Sequence, residues 1–229
     1  MRLEGYHKRI DDRHLSYRNW RNDIELFPEI LSDRFRVDID ETTSRGIELY
    51  LKSESQLRLT WWVSYALAQV EDRVQGISVG PDQLPLAHTL PGVNDQRHTL
   101  YLDLNYRPSQ RWHLSLAWQY RSGWPCTEEV LRQGAFEDGT TYLYVTAGEP
   151  HGTRYPAFHR ADLRLSRHVE TAGGRLSTFL EMINLYNHGN VRRYNYIWRR
   201  DDTGQLHLNR EAEYWFRLLP SIGVSWSWD

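Results

Sequence analysis

The sequence predicts an all-β chain: a portion of an antiparallel transmembrane β-barrel, with about eight sequential strands, short periplasmic turns and long extracellular loops. Three observations predict it. Apolar and polar residues alternate with period two over stretches of strand length. The connections between those stretches alternate strictly between tight and long. Aromatic side chains mark both ends of the most regular hairpin.

The alternation is clearest in the middle of the chain. In LRLTWWVSYALA, Leu57, Leu59, Trp61, Val63, Tyr65 and Leu67 share one face, and Arg58, Thr60, Trp62, Ser64, Ala66 and Ala68 share the other. Residues 99–108 and 111–121 repeat the pattern: Leu100, Leu102 and Leu104 oppose Tyr101, Asp103 and Asn105, while Trp112, Leu114, Leu116 and Trp118 oppose His113, Ser115, Ala117 and Gln119. Weaker members are 3–10, 44–53, 158–168 and 174–185. The chain closes on LPSIGVSWSW, where Ile222, Val224, Trp226 and Trp228 oppose Ser221, Gly223, Ser225 and Ser227. A soluble β-sandwich would pack such an apolar face on a second sheet; a membrane barrel would present it to lipid.

The connections favour lipid. Those at 53–56, 107–111 and 169–174 are tight; those at 11–42, 72–96, 124–156 and 187–217 are long. Long structureless loops are uncommon in compact domains, but outer-membrane barrels carry them on their extracellular side. Trp112 and Tyr106 flank one tight turn, and Trp118, Tyr120 and Trp124 lie toward the opposite end of that hairpin, as two interfacial girdles would. A mean hydropathy of −0.70 agrees, because only alternate residues of a barrel strand meet lipid.

Composition limits the chemistry. A net charge of −2 argues against a nucleic-acid partner, whose phosphates need a cationic surface. The one cysteine, Cys126, excludes an internal disulfide framework. The ten histidines are scattered without zinc-ligand spacing, and the carboxylates of DIDE (38–41) lack the glycine that shapes a calcium loop. No nucleophile motif is present, and His159 and Asp162 fall on opposite strand faces. Neither an enzyme nor a cofactor is expected.

The barrel reading places Arg58, Asp103, Arg111, Arg160, Asp162 and Arg164 in the lumen, with the ladder Arg160, Asp162 and Arg164 pairing with Asp103 and Arg111 on neighbouring strands in a salt-bridge network. The long loops are rich in Tyr, Trp and Arg. Tyr142, Tyr144, Arg192, Arg193, Tyr194, Tyr196 and Trp198 are candidate extracellular ligand residues, since binding surfaces favour these types. The same segments also read as hairpins that simply extend the strands, with a tip at Thr203-Gly204.

Specific stretches resemble the TonB-dependent receptor family. SRGIELYLKS, the hairpin DQRHTLYLDLNYRPSQRWHLSLAWQYRSGWP (95–125), YPAFHRADLRLSR (155–167), FLEMINLYNHGNV (179–191) and LPSIGVSWSW occur in the order found in the C-terminal part of that barrel. The resemblance implies a place in the cell outer membrane of a Gram-negative bacterium and uptake of an iron chelate, cobalamin or sugar. It also implies a plug domain, TonB, outer-membrane lipid and the barrel-insertion machinery as partners. The insertion machinery would read the closing strand, Gly223, Val224, Trp226 and Trp228, although Asp229 stands where the family ends on an aromatic. The plug, signal peptide and energy-coupling box have no counterpart here, so the expectation for 1–229 is the C-terminal part of a receptor barrel. The alternatives are a self-contained eight-stranded barrel with an adhesive or structural role and a soluble sandwich module.

Overall fold

The structure is a computed structural model that describes residues 1–11, 16–19, 34–53, 58–79, 82–84 and 88–228. In chain order the strands are β1 (Arg2–Asp11), β2 (Ser16–Asn19), β3 (Arg34–Ser53), β4 (Leu59–Val79), β5 (Asp82–Leu84) and β6 (His88–Pro91). Next come β7 (His98–Tyr106), β8 (Trp112–Arg121), β9 (Pro125–Cys126), β10 (Glu129–Ala135), β11 (Thr141–Ala147) and β12 (Thr153–Arg154). The last are β13 (Phe158–Thr171), β14 (Gly174–Ile183), β15 (Val191–Arg200), β16 (Leu206–Tyr214) and β17 (Leu219–Ser227). No helix occurs among the described residues.

Eight strands form one antiparallel path, β1-β3-β4-β7-β8-β13-β14-β17, in the order the alternation predicts. The path is open: β1 and β17 are its edges, and neither is paired to the other. The short β2, β5 and β6 add to the long-connection end of β3 and β4.

Cross-strand register carries the two faces unbroken across the sheet. One row runs Trp61–Leu104–Leu116–Leu163–Met182–Pro220; the row beside it runs Leu59–Tyr106–Leu114–Leu165–Leu180–Ile222. Trp118 lies between Leu102 and Ala161 on this same face. The opposite face holds the row Trp62–Asp103–Ala117–Asp162 and the row Thr60–Asn105–Ser115–Arg164–Glu181–Ser221.

Among the described residues no second layer covers the apolar face. Leu3 is 64% exposed, Ile222 79% and Val224 68%, with Ile47, Leu67, Leu165 and Leu180 also open. The buried apolar residues of the long strands, Val37, Ile39 and Val74, sit instead at the long-connection end, where β3 and β6 flank β4. A contiguous apolar face of this extent in water would be an association site. In a bilayer it is the ordinary outer surface of a barrel wall.

The strands run further than the sequence suggests. The expected strand at 44–53 begins at Arg34, that at 57–68 continues to Val79, and that at 158–168 reaches Thr171. Beyond Ile47 and Leu67 the formerly apolar face turns polar, through Arg45–Gln69, Thr43–Glu71 and Glu41–Arg73, so period two no longer sorts apolar from polar. Register shifts between Asp38 and Ile39 and between Ile39 and Glu41 blur it further. The long connections are likewise mostly β-structure: 124–156 holds the β9–β12 ladder and the β10–β11 hairpin, and 187–217 holds the β15–β16 hairpin. The expected tight turn at 53–56 falls largely on residues 54–57, Leu57 of the expected apolar face included, and these with Asp229 lie outside the described residues.

Candidate functional site

A cavity of about 580 Å³ opens on the polar face of the sheet at its long-connection end. Its floor comes from strand positions of polar-face parity: Arg121 at the end of β8, Phe158 and Arg160 on β13, Ile183 on β14 and Leu219 on β17. Its walls come from the connections, with Trp124 and Tyr155 on one side and Arg192, Arg193, Trp215 and Phe216 on the other.

A buried carboxylate fixes one wall. Asp95 is fully buried, accepts the Val70 amide at 2.7 Å and Arg97 Nε at 2.9 Å, and is ion-paired to Arg154. Arg154 also donates to the Asp95 carbonyl at 2.6 Å and to the Gly123 carbonyl at 3.1 Å. A Cβ at Gly123 would lie 1.6 Å from the Tyr155 carbonyl oxygen, so only glycine permits this approach of the two loop stems. The Tyr155 amide then bonds the Trp124 carbonyl at 2.9 Å.

Two asparagines fix the other wall. Asn190 is buried, donates to the His159 carbonyl and accepts the His159 amide, both at 2.9 Å, and so acts as a strand partner made of one side chain. Asn184, also buried and with φ of 56°, donates to the His188 and Phe216 carbonyls and accepts the His188 amide. Positive φ is tolerated best by residues of this kind.

The two long connections also hold each other. Arg210 on β16 pairs with Glu128 at 2.5 Å and sits 4.3 Å over the Tyr194 ring, which stacks on Tyr155 at 5.4 Å. Burial pushes the hydroxyls of Tyr194 and Tyr196 up from their ordinary pKa. The stacked rings and the ion pair join the cavity's walls at one seam.

The cavity is cationic. Arg192 and Arg193 share one carboxylate, Glu213, at 2.9 and 2.6 Å. The Arg193 hydrogen bond, then its charge, holds that carboxyl below its ordinary pKa, so Glu213 is an anion at neutral pH. Arg160 pairs with Asp162 at 2.9 Å. Arg121 donates to the neutral Gln119 at 2.9 Å and stands 4.7 Å over the Phe158 ring. The Nε atoms of Arg121 and Arg160 are buried and make no hydrogen bond.

The expected site residues divide among several places. Asp103, Arg160, Asp162 and Arg164 lie on the polar face in β7 and β13; Arg58 and Arg111 precede β4 and β8 and are exposed. Among the described residues the Arg160–Asp162–Arg164 ladder makes no ion pair with Asp103 or Arg111. Arg160 pairs within its own strand, Arg164 turns to Glu181 at 3.7 Å on β14, and Asp103 instead accepts a hydrogen bond from Asn105. Ala117 stands between Asp103 and Asp162 in the register, which keeps the two strands' charges apart.

Of the loop residues, Arg192 and Arg193 reach the cavity. Tyr142 and Tyr144 instead form an exposed row of tilted rings with Phe136 on the β10–β11 hairpin, with centroids 4.6 and 5.7 Å apart. Tyr194 belongs to the seam, and Trp198 is an exposed residue of β15. In the closing strand Val224 and Trp226 share the apolar face, Trp228 follows the strand and is exposed, and Gly223 faces the other way. A Cβ there would meet the Phe179 ring at 2.2 Å, and that ring carries the Arg164 guanidinium at 3.8 Å. Among the described residues no cluster of three or more His, Cys, Asp or Glu could hold a metal ion, and the DIDE carboxylates Asp40 and Glu41 are paired with Arg73 and Arg9.

The family described as TonB dependent receptor-like, beta-barrel matches residues 1–185. No curated protein and no solved structure matches the chain.

Proposed function

Because the chain belongs to the TonB-dependent receptor-like β-barrel family, we propose that it is the C-terminal barrel wall and extracellular vestibule of an outer-membrane receptor for a scarce solute. Members of this family are transporters of the Gram-negative outer membrane, not enzymes, and work with TonB. The observation that carries the reading is the pair of unlike faces: an apolar face left bare by the protein, and a polar face that leads up to a cavity among the long connections. The bare face is solvated by lipid and the polar face by the lumen.

In this reading Arg58, Asp103, Arg111, Arg160, Asp162 and Arg164 belong to the lumen wall, and the cavity is where solute is first held. Iron chelates, cobalamin and sugars are the solute classes to be tried. The remaining strands and the plug come from other parts of the receptor. The edge groups of β1 and β17 favour this over a self-contained eight-stranded barrel, since an unpaired strand edge in hydrocarbon costs several kcal/mol per backbone group. In-frame deletion of the coding sequence should abolish energy-dependent uptake of one solute from a panel of iron chelates, cobalamin and oligosaccharides. Unaltered uptake of every panel member would overturn the proposal.

A further inference from the structure

Resting on that reading of the cavity as the solute site, we infer that it selects a small solute that is both anionic and ring-bearing, and discriminates against neutral ones. The charge count comes first. Four guanidiniums line the cavity, from Arg121, Arg160, Arg192 and Arg193, while the two carboxylates that pair with them are Asp162 and Glu213. Two positive charges are therefore left without a compensating side chain at the site.

The hydrogen-bond inventory points the same way. Arg121 has no acid partner, since its recorded side-chain acceptor is the amide oxygen of Gln119. Its Nε and that of Arg160 are buried donors without acceptors. A buried, unpaired charged donor is among the more expensive groups to leave unsatisfied. Those two Nε atoms are closed off from the cavity, but the Arg121 guanidinium lines it and has no acid partner among the described residues, so its charge is open to an oxyanion held there. Arginine suits this role because its planar fork matches a carboxylate in two-point geometry.

The ring requirement comes from the rest of the lining. Trp124, Tyr155, Trp215 and Phe216 surround the arginines, and Phe216 is 77% exposed. Some faces are already engaged: Phe158 lies under Arg121, Tyr155 lies against Tyr194, and Trp215 lies under Arg192 at 5.2 Å. Phe216 remains as an open ring at the rim. A flat conjugated solute can stack there while its anionic groups reach inward. The volume is that of an ordinary small-molecule site, which typically spans about 300–1,000 Å³.

Three probes of similar size separate charge from ring: trimesate (an aromatic tricarboxylate), trimesamide (its neutral amide) and tricarballylate (an aliphatic tricarboxylate). Their binding is to be measured by calorimetry on the detergent-purified protein, folded as judged by heat-modifiability. Trimesate should bind at least about tenfold more tightly than either of the others, as loss of one charge-assisted bond implies. Arg121→Gln and Phe216→Ala should each cost about tenfold. Arg175→Gln, on the same face but at the tight-turn end of β14, should leave affinity unchanged, which controls for folding and for general charge on that face. Trimesamide binding as well as trimesate overturns the anion requirement; tricarballylate binding as well overturns the ring requirement. Absence of any trimesate binding to folded protein overturns the inference. The receptor reading is tested separately by the uptake panel: import of a neutral solute that competes at this cavity would leave it standing while this inference fell.

Discussion

Leu116 and Ala117 are adjacent in β8 and point to opposite faces, so arginine at each reports on two solvents within one strand. Leu116 lies between Leu104 and Leu163 in the middle of the apolar rows. The eight steps from Trp112 to Tyr120 cover about 26 Å at about 3.3 Å each. At a tilt of about 40° that is about 20 Å of height, close to the apolar band of a barrel wall. Leu116 is halfway between those two rings. An arginine there is at the midplane and should cost about 2–4 kcal/mol. Ala117 lies between Asp103 and Asp162, so an arginine there gains an opposite charge on both sides, worth about 0.2–1 kcal/mol for each well-placed pair. Trp118→Arg, two residues below Tyr120, should fall between the midplane value and the interfacial one. Urea titration of the protein in lipid vesicles, with heat-modifiability as a folding check, measures all three. Equal losses for Leu116→Arg and Ala117→Arg would refute the assignment of the apolar face to lipid.

Asp95→Asn should be destabilising, by about 1–3 kcal/mol, because the buried position loses its charge-assisted bonds to the partly exposed Arg97 and Arg154; limited proteolysis should show new cleavage within 124–156. Gly223→Ala should cost about 1–3 kcal/mol by displacing the Phe179 ring, and should cost almost nothing in a Phe179→Ala background, which a double-mutant cycle of denaturation midpoints will show. Asp201 at the β15–β16 tip is held far below its ordinary pKa by Thr203, then His207, then the Gln205 amide. Its folded pKa is depressed, so its contribution to the turn is complete above the ordinary carboxylate range and is lost progressively as pH falls below about 4 toward the folded value. Amide chemical shifts of residues 203–205 should follow that loss, and Asp201→Asn should remove the pH dependence.

The two faces were legible in the sequence because strand side chains alternate and nothing else is needed to sort Leu116 from Ala117. The order of the eight strands was legible for a related reason: tight connections force antiparallel neighbours. The cavity was not legible, since it gathers Arg121, Phe158, Arg160, Arg192 and Phe216 from separate elements, and only register and loop docking bring them together. Of these, Arg160 was picked out by its strand face and Arg192 by residue type. Phe216 had no signal beyond its place in a long connection. The ion pairs failed for the same reason: in register Arg164 has Ser115 on the β8 side and Glu181 on the β14 side, so its carboxylate comes from β14 and not from β7 or β8.

In the proposed barrel wall the change of character along β3 and β4 would work as a waterline. Below it Ile47 and Leu67 meet acyl chains; two residues higher, Arg45 donates to Gln69 at 3.1 and 2.9 Å. Sinking the wall by two residues, about 7 Å of strand, would carry that guanidinium into hydrocarbon. Raising it would lift Trp112 and Trp226 off the opposite headgroup layer, where indoles are most at home. The wall is thus pinned from above and below. On the proposed reading the docked loops ride on that fixed height, so the cavity would stand at a set distance outside the bilayer, and a solute held there would begin its passage from the same level each time.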